Sequence, residues 1–297
     1  MSAAIEASAV GKRYGRSWAL RDCTLTVPAG RVVGLVGANG AGKSTLLNLA
    51  VGLLRPTEGQ IVVLGGRPGN DARQLAKVGF LAQDVPLYSA LTVRDHVRLG
   101  AELNPGWDDA LARARIERVG LDPSQRAGGL SGGQRAQLAL AVAIGKRPEL
   151  LILDEPVASL DPLARREFLA DVMELAADGL SIVLSSHLLT DVERICDHLI
   201  VLADGQVRLA GDIDELLDAH KVLVGARRDP DRLPADQTVI QQRHTERQST
   251  LLVHTTRPVL DPSWTVSDVG LEELVLAYMS VGAAATRPAA PALWSVG

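Results

Sequence analysis

The chain has 297 residues, 46% of them apolar and 22% charged, which is ordinary for a soluble globular protein with room for a substantial core. One large domain with a small appendage fits this length best. A formal net charge of -4 at pH 7 gives no net pull toward nucleic acid or anionic lipid, so no nucleic acid partner is expected.

The N-terminal MSAAIEASAVGKRYG lacks a basic segment followed by a long apolar run and does not read as a signal peptide. Residues 5–36 read as short alternating strands, IEASAV, WALRDCTLTV and RVVGLVG, with turns at Gly15 and Pro28-Ala29-Gly30. The apolar run Val32–Val36 then enters a Gly-rich loop and the helix-like STLLNLAVGLL, followed by the strand candidates IVVLGG and VGFLAQ. From 86 to about 130 the periodicity becomes helical, broken at Asn104-Pro105-Gly106 and Asp122-Pro123, which predicts an inserted helical lobe over about 86–135. The helix AQLALAVAIG, the buried strand LLILD, the helix ARREFLADVMELAADG and the strand SIVLSS come next. Strands alternating with helices predict an α/β fold with a mainly parallel sheet covered on both faces and an N-terminal antiparallel β-lobe, all within residues 1–215.

Past Gly211 the chain turns polar and rich in Arg and Gln, with strand signals KVLVGA and STLLVHT and the helix LEELVLAYMS. This predicts a small C-terminal α/β appendage over 216–280, whose late helix lays its apolar face on the large domain. The Ala/Pro-rich 281–297, which contains Trp294, reads as a disordered tail. Cys23 and Cys196 have no Cys or His at metal-ligand spacing and read as buried, reduced thiols. No stretch approaches the roughly 18 apolar residues a membrane span needs, so a transport function would borrow its membrane path from a partner.

Three segments carry chemistry. Gly37-Ala38-Asn39-Gly40-Ala41-Gly42-Lys43-Ser44-Thr45 fits the phosphate-binding loop pattern between a strand and a helix. Its glycines let backbone N–H groups turn inward around a phosphate, Lys43 would reach the β- and γ-phosphates, and the Ser44 hydroxyl would ligate Mg²⁺. LLILD ends in the adjacent acids Asp154 and Glu155; Asp154 is suited to hold the Mg²⁺ shell and Glu155 to orient and deprotonate an attacking water. Leu130-Ser131-Gly132-Gly133-Gln134, just before a helix, is a second phosphate cradle. Two different cradles for one nucleotide imply a site shared by two chains.

With these motifs, residues 5 to about 211 resemble the ATP-binding subunits of ABC transporters. The resemblance implies a P-loop NTPase fold of ABC type, ATP and Mg²⁺ as cofactors, and a head-to-tail dimer, homomeric or with another ABC subunit, in which each LSGGQ closes over the partner's ATP. It further implies that Tyr14 stacks on adenine, with Trp18 as the alternative, and that Gln83 touches Mg²⁺ and the attacking water. Ser159-Leu160-Asp161 matches the segment that crosses the dimer interface, although Ser159 stands where the family more often has Gly or another small residue, and His187 matches the histidine at the γ-phosphate.

No coiled-coil insertion, zinc motif or second ATPase unit points to the DNA-repair or translation-factor relatives. A soluble regulatory or nucleic-acid-associated ATPase is the alternative. The implied role is a motor on the cytoplasmic face of the cell membrane, bound to separate transmembrane permease subunits. LTVRDHVRLGAEL, SSHLLTDVERICDHLIVLADGQVRLAG and LEELVLAYMS resemble exporter-type motors, which favours export.

Overall fold

The computed structural model describes residues 2–158, 160–227 and 233–280; Ser159 and the Ala/Pro-rich end with Trp294 lie outside the described residues. The chain falls into two compact units, Met1–Ile213 and Asp214–Gly297.

In the first unit, β1 (Ala3–Tyr14) and β2 (Ser17–Pro28) form an antiparallel hairpin. After β3 (Val32–Val36) and α1 (Lys43–Ala50), β4 (Glu58–Val63) pairs with the other edge of β1, giving the sheet order β2-β1-β4. Both hairpin strands run longer than the sequence suggests, because β1 accommodates irregularities, with Ala9 at φ 49 and register shifts between Ala7 and Lys12.

The main sheet follows α2 (Ala72–Ala76) and comprises β5 (Val78–Leu81), β6 (Leu150–Asp154), β7 (Ser181–Ser186), β8 (His198–Ala203) and β9 (Gln206–Asp212) together with β3, in the order β5-β6-β7-β3-β8-β9. All neighbours are parallel except β9, which folds back antiparallel on β8. Every residue of β3, β6 and β7 is buried. Alternation explains why β6 is apolar up to its last residue: it sends Leu150 and Ile152 into one core cluster and Leu151 and Leu153 into the other. The C-terminal ends of β3, β6 and β7 therefore share one edge, where functional loops emerge.

The inserted lobe contains α3 (Val93–Leu103), α4 (Asp109–Arg118) and α5 (Gly132–Gly145), packed around Val93, Val97, Ile116, Leu121 and Leu138. Thr92 caps α3 reciprocally with Asp95. Trp107 fills the space beside two glycines: a Cβ on Gly100 would lie 2.5 Å, and one on Gly145 2.6 Å, from the indole. A buried polar cluster ties this lobe to α6 (Pro162–Ala177). Arg115 of α4 pairs with Asp171 of α6, and Gln137 of α5 bridges them, accepting from Arg115 at 2.8 Å and donating to Asp171 at 2.9 Å. The α7 helix (Leu189–Ile195) leads into β8, and α8 (Ile213–Asp218) begins where the second unit starts.

The second unit has β10 (His220–Ala226), β11 (Gln237–His244), β12 (Gln248–Thr255), β13 (Trp264–Asp268) and α9 (Leu271–Ser280), its strands ordered β11-β12-β10-β13 and all antiparallel. It therefore carries two strands beyond KVLVGA and STLLVHT. Within this unit α9 lies along β11, with Ser280 accepting from Gln241 at 3.1 Å and Tyr278 hydrogen bonded to the buried His220 at 2.8 Å. No helix among the described residues is long and apolar enough to cross a membrane.

Candidate nucleotide site

The site lies where β3, β6 and β7 end. Between β3 and α1, residues 37–42 form a tight loop in which Gly42 caps α1 at φ 105, a left-handed conformation that glycine adopts freely. Gly37 is fixed by space, since a Cβ there would lie 2.2 Å from the Leu202 carbonyl oxygen. Lys43, only 5% exposed, donates to the Gly37 carbonyl at 2.8 Å and to that of Ala38 at 3.4 Å, and its ammonium is 3.4 Å from Glu155 Oε1.

Asp154 ends β6, buried, with Oδ1 accepting the Ser185 hydroxyl at 2.7 Å. Glu155 follows at φ 47, unusual for a residue with a side chain, and its N–H donates to Ser185 Oγ at 2.9 Å. Glu155 Oε2 is 3.1 Å from His187 Nδ1. For an ionised Glu155 that geometry places a proton on Nδ1.

Asn39, Gly40, Gly42, Lys43, Ser44, Thr45, Gln83, Glu155 and His187 line one pocket of about 410 Å³ with Ala19. Gly37, Ala38 and Ala41 shape its loop from behind, Ala41 being buried and bonded through its N–H to the Ala38 carbonyl at 3.0 Å. Tyr14 is outside this lining; it sits at the β1–β2 turn, 50% exposed, with the Lys12 ammonium 5.4 Å from its ring centroid. Ser131, Gly132, Gly133 and Gln134 are outside it too. Ser131 caps α5 in a reciprocal box, its Oγ accepting from the Gln134 N–H at 3.2 Å while the Gln134 side chain accepts from the Ser131 N–H at 3.0 Å. Asp161 caps α6 by accepting from the N–H groups of Leu163 and Ala164.

Two lining or supporting residues escape a reading of the sequence. Ala19 has no chemistry to flag it. Ser185 is one of three serines in the buried strand β7, and nothing in the sequence sets it apart from Ser181 and Ser186.

The donor set suits a triphosphate with a hard divalent cation. Ser44, Gln83 and Asp154 offer hydroxyl, amide and carboxylate oxygens, the ligands Mg²⁺ prefers. Among the described residues no three His, Cys, Asp or Glu side chains form a metal cage, so such a cation would take its remaining ligands from phosphates and water.

A family model described as ABC transporter matches residues 20–158. The phosphonates import ATP-binding protein PhnC 2 of Pseudomonas syringae pv. syringae is 37% identical over 242 residues, 73% of this chain and 87% of the relative. The chain belongs to the ABC transporter ATP-binding family. The Nod factor export ATP-binding protein I of Rhizobium leguminosarum bv. viciae is 37% identical over 212 residues, 68% of this chain and 67% of the relative. An uncharacterized ABC transporter ATP-binding protein of Nostoc sp. is also 37% identical, and the match spans 62% of that relative's length.

Solved structures agree with the ABC fold. One described as the ATP binding subunit of an ABC transporter has a TM-score of 0.65 at 31% identity, over 72% of this chain and 92% of that one. The ATP-binding cassette MJ0796, solved as a dimer in a post-hydrolysis state bound to ADP and Pi, has a TM-score of 0.63 at 26% identity, over 70% of this chain and 98% of that one.

Proposed function

We propose that this ABC chain binds and hydrolyses ATP as the motor of a transporter, pairing head-to-tail with a second ATPase subunit around two ATP molecules and driving a separate permease from the cytoplasmic face of the membrane. The observation that carries it is the single pocket in which Lys43, Ser44, Gln83, Glu155 and His187 converge beside a phosphate-binding loop.

The N–H groups of the 37–42 loop and the N-terminus of α1 receive the β-phosphate, and Lys43 spans to the γ-phosphate. Ser44, Gln83 and Asp154 would hold Mg²⁺, which when bound neutralises phosphate charge and polarises the γ-phosphoryl group. Glu155 takes a proton from the attacking water, and His187, whose Nδ1 is engaged with Glu155, lines the same pocket beside the γ-phosphate. Tyr14 stacks on adenine.

Ser131 supports the shared-site reading through its own bonding. Its oxygen already accepts the capping N–H, so its single hydroxyl proton is left to donate outward to an acceptor such as a partner's γ-phosphate. Gly132, Gly133 and Gln134 would present the α5 N-terminus to the same group, and Asp161 would face the partner across the interface. Relatives named for export and for import both match, and the export direction rests on the exporter-like segments in the helical lobe and after His187. A neighbouring gene for a six-span permease supports export, whereas a neighbouring substrate-binding protein overturns it.

The deciding experiment is sedimentation of Glu155→Gln. With ATP·Mg²⁺ it should run as a dimer and with ADP as a monomer, and its turnover should fall about 10²–10⁴-fold. Ser131→Arg in the same background should abolish the dimer while preserving ATP binding by the monomer. A dimer in every nucleotide state, insensitive to Ser131→Arg, sinks the shared site.

A further inference from the structure

We infer that Ser185 is a positioning residue for the proposed hydrolysis, setting both the orientation of the cation-holding carboxylate and the backbone of the general base; this rests on the ATPase reading above. Its hydroxyl is fully buried in β7, opposite Asp154 in the parallel register of β6 and β7. The oxygen accepts the Glu155 N–H at 2.9 Å, and the hydroxyl proton goes to Asp154 Oδ1 at 2.7 Å. Only one proton arrangement satisfies both bonds: the N–H can only donate, so the hydroxyl must donate to a carboxylate oxygen that is not protonated.

Two consequences follow for the chemistry. Asp154 is kept as an acceptor with one oxygen committed, which directs the other toward a cation, as outer-shell partners do for metal-ligating carboxylates. Glu155 stands at φ 47, a conformation a residue with a side chain leaves readily unless it is held. The Ser185 bond holds it at the backbone, while Lys43 at 3.4 Å and His187 at 3.1 Å hold it at the carboxylate. The end of β7 and the residue after it thus supply two of these three holds, Ser185 to the N–H and His187 to the side chain. An alanine would leave a strained N–H with no acceptor from this strand and free the Asp154 carboxylate to rotate.

The test compares Ser185→Ala and Ser185→Thr in the full chain. Binding of trinitrophenyl-ATP is measured with Mg²⁺ and with EDTA, alongside kcat, KM and melting temperature. Ser185→Ala should keep EDTA binding within about twofold, lose about tenfold of the Mg²⁺-dependent gain in affinity, and lose about 10–100-fold in kcat with little change in KM. Ser185→Thr, which keeps the hydroxyl, should recover most of both. If the alanine variant does not fold, Ser185→Cys, a weak donor of similar shape, takes its place with the same expectations. Unchanged Mg²⁺ gain and kcat, or a folded threonine variant as impaired as alanine, overturns the inference, as does a fall in melting temperature alone. A wild-type chain that binds nucleotide without hydrolysing it defeats the proposed function, and the Mg²⁺ comparison still decides the role of Ser185.

Discussion

Replacing Asp171 with Leu tests how the helical lobe is fastened to the catalytic core. Arg115 and Asp171 side chains are 5% and 8% exposed, and the carboxylate accepts from Arg115, from Gln137 at 2.9 Å and from Arg118 at 3.2 Å. Burial lowers the Arg115 pKa while Asp171 raises it again, so the pair offsets its own desolvation. Leucine keeps the volume and removes the acceptor, leaving the guanidinium with Gln137 as its remaining partner in this cluster. An uncompensated buried charge of this kind costs about 3–5 kcal/mol. For a domain of this size that corresponds to a fall of about 6–20 °C in melting temperature.

Arg118 adds little to this sum, because its side chain is 52% exposed and regains water. The triple variant Arg115→Met, Gln137→Leu, Asp171→Leu removes the three buried polar partners together, leaves the half-exposed Arg118 to water, and should melt within about 4 °C of wild type. Scanning calorimetry of the full chain reads both. A single variant within about 2 °C of wild type, or a triple variant as unstable as the single, refutes the assignment of the cost to a stranded charge.

Gly37→Ala must push the loop away from the Leu202 carbonyl, since the new Cβ would sit 2.2 Å from that oxygen. It should destabilise the chain by about 1–3 kcal/mol and weaken trinitrophenyl-ATP binding in a fluorescence titration; binding at wild-type affinity contradicts the loop geometry. His220 gives the second unit a pH dependence. Burial holds its pKa below 6.5 against the opposing hydrogen bond to the Leu216 carbonyl, with His254 and Lys221 adding to the fall, so the unfolded state takes up the proton more readily. The contribution is complete above 6.5 and is lost as pH falls through the folded pKa. Melting should drop between about pH 7.5 and about pH 5.5, with a shallower slope for His220→Phe, and equal slopes would place the titration elsewhere.

The parts of this fold legible in sequence are those where burial leaves no choice. β3 and β6 read as strands because both faces are covered and their residues are almost all apolar, and β7 because the apolar run Ile182–Leu184 sits between buried serines. β13 and β11 do not, because most of their residues face solvent to some degree and their alternation is blurred by Thr, Ser, Gln and Arg. Their pairing comes from long-range contact with β10 and β12, which no local window contains. At the site, Lys43, Asp154 and Glu155 are picked out by type and spacing, and His187 only through the resemblance to the ABC family. The Ser185 bonds depend on β6 and β7 lying in parallel register, a tertiary fact, so a serine 31 positions from its carboxylate gives no local sign. The reciprocal cap at Ser131 and Gln134 was half visible, since the pattern of a capping box and the pattern of a phosphate cradle coincide there.

The indole of Trp107 makes a statement about descent. It takes up the volume that side chains on Gly100 and Gly145 would need, so the three positions, on α3, α5 and the segment joining α3 to α4, form a single heritable unit. A lineage cannot replace either glycine first without a clash, and cannot shrink the tryptophan first without opening a void in the lobe. Drift through this part of the family should therefore pass by a smaller ring at 107 before alanine arrives at 100 or 145. Chains that pair a tryptophan at 107 with alanine at both other positions should be absent among folded relatives.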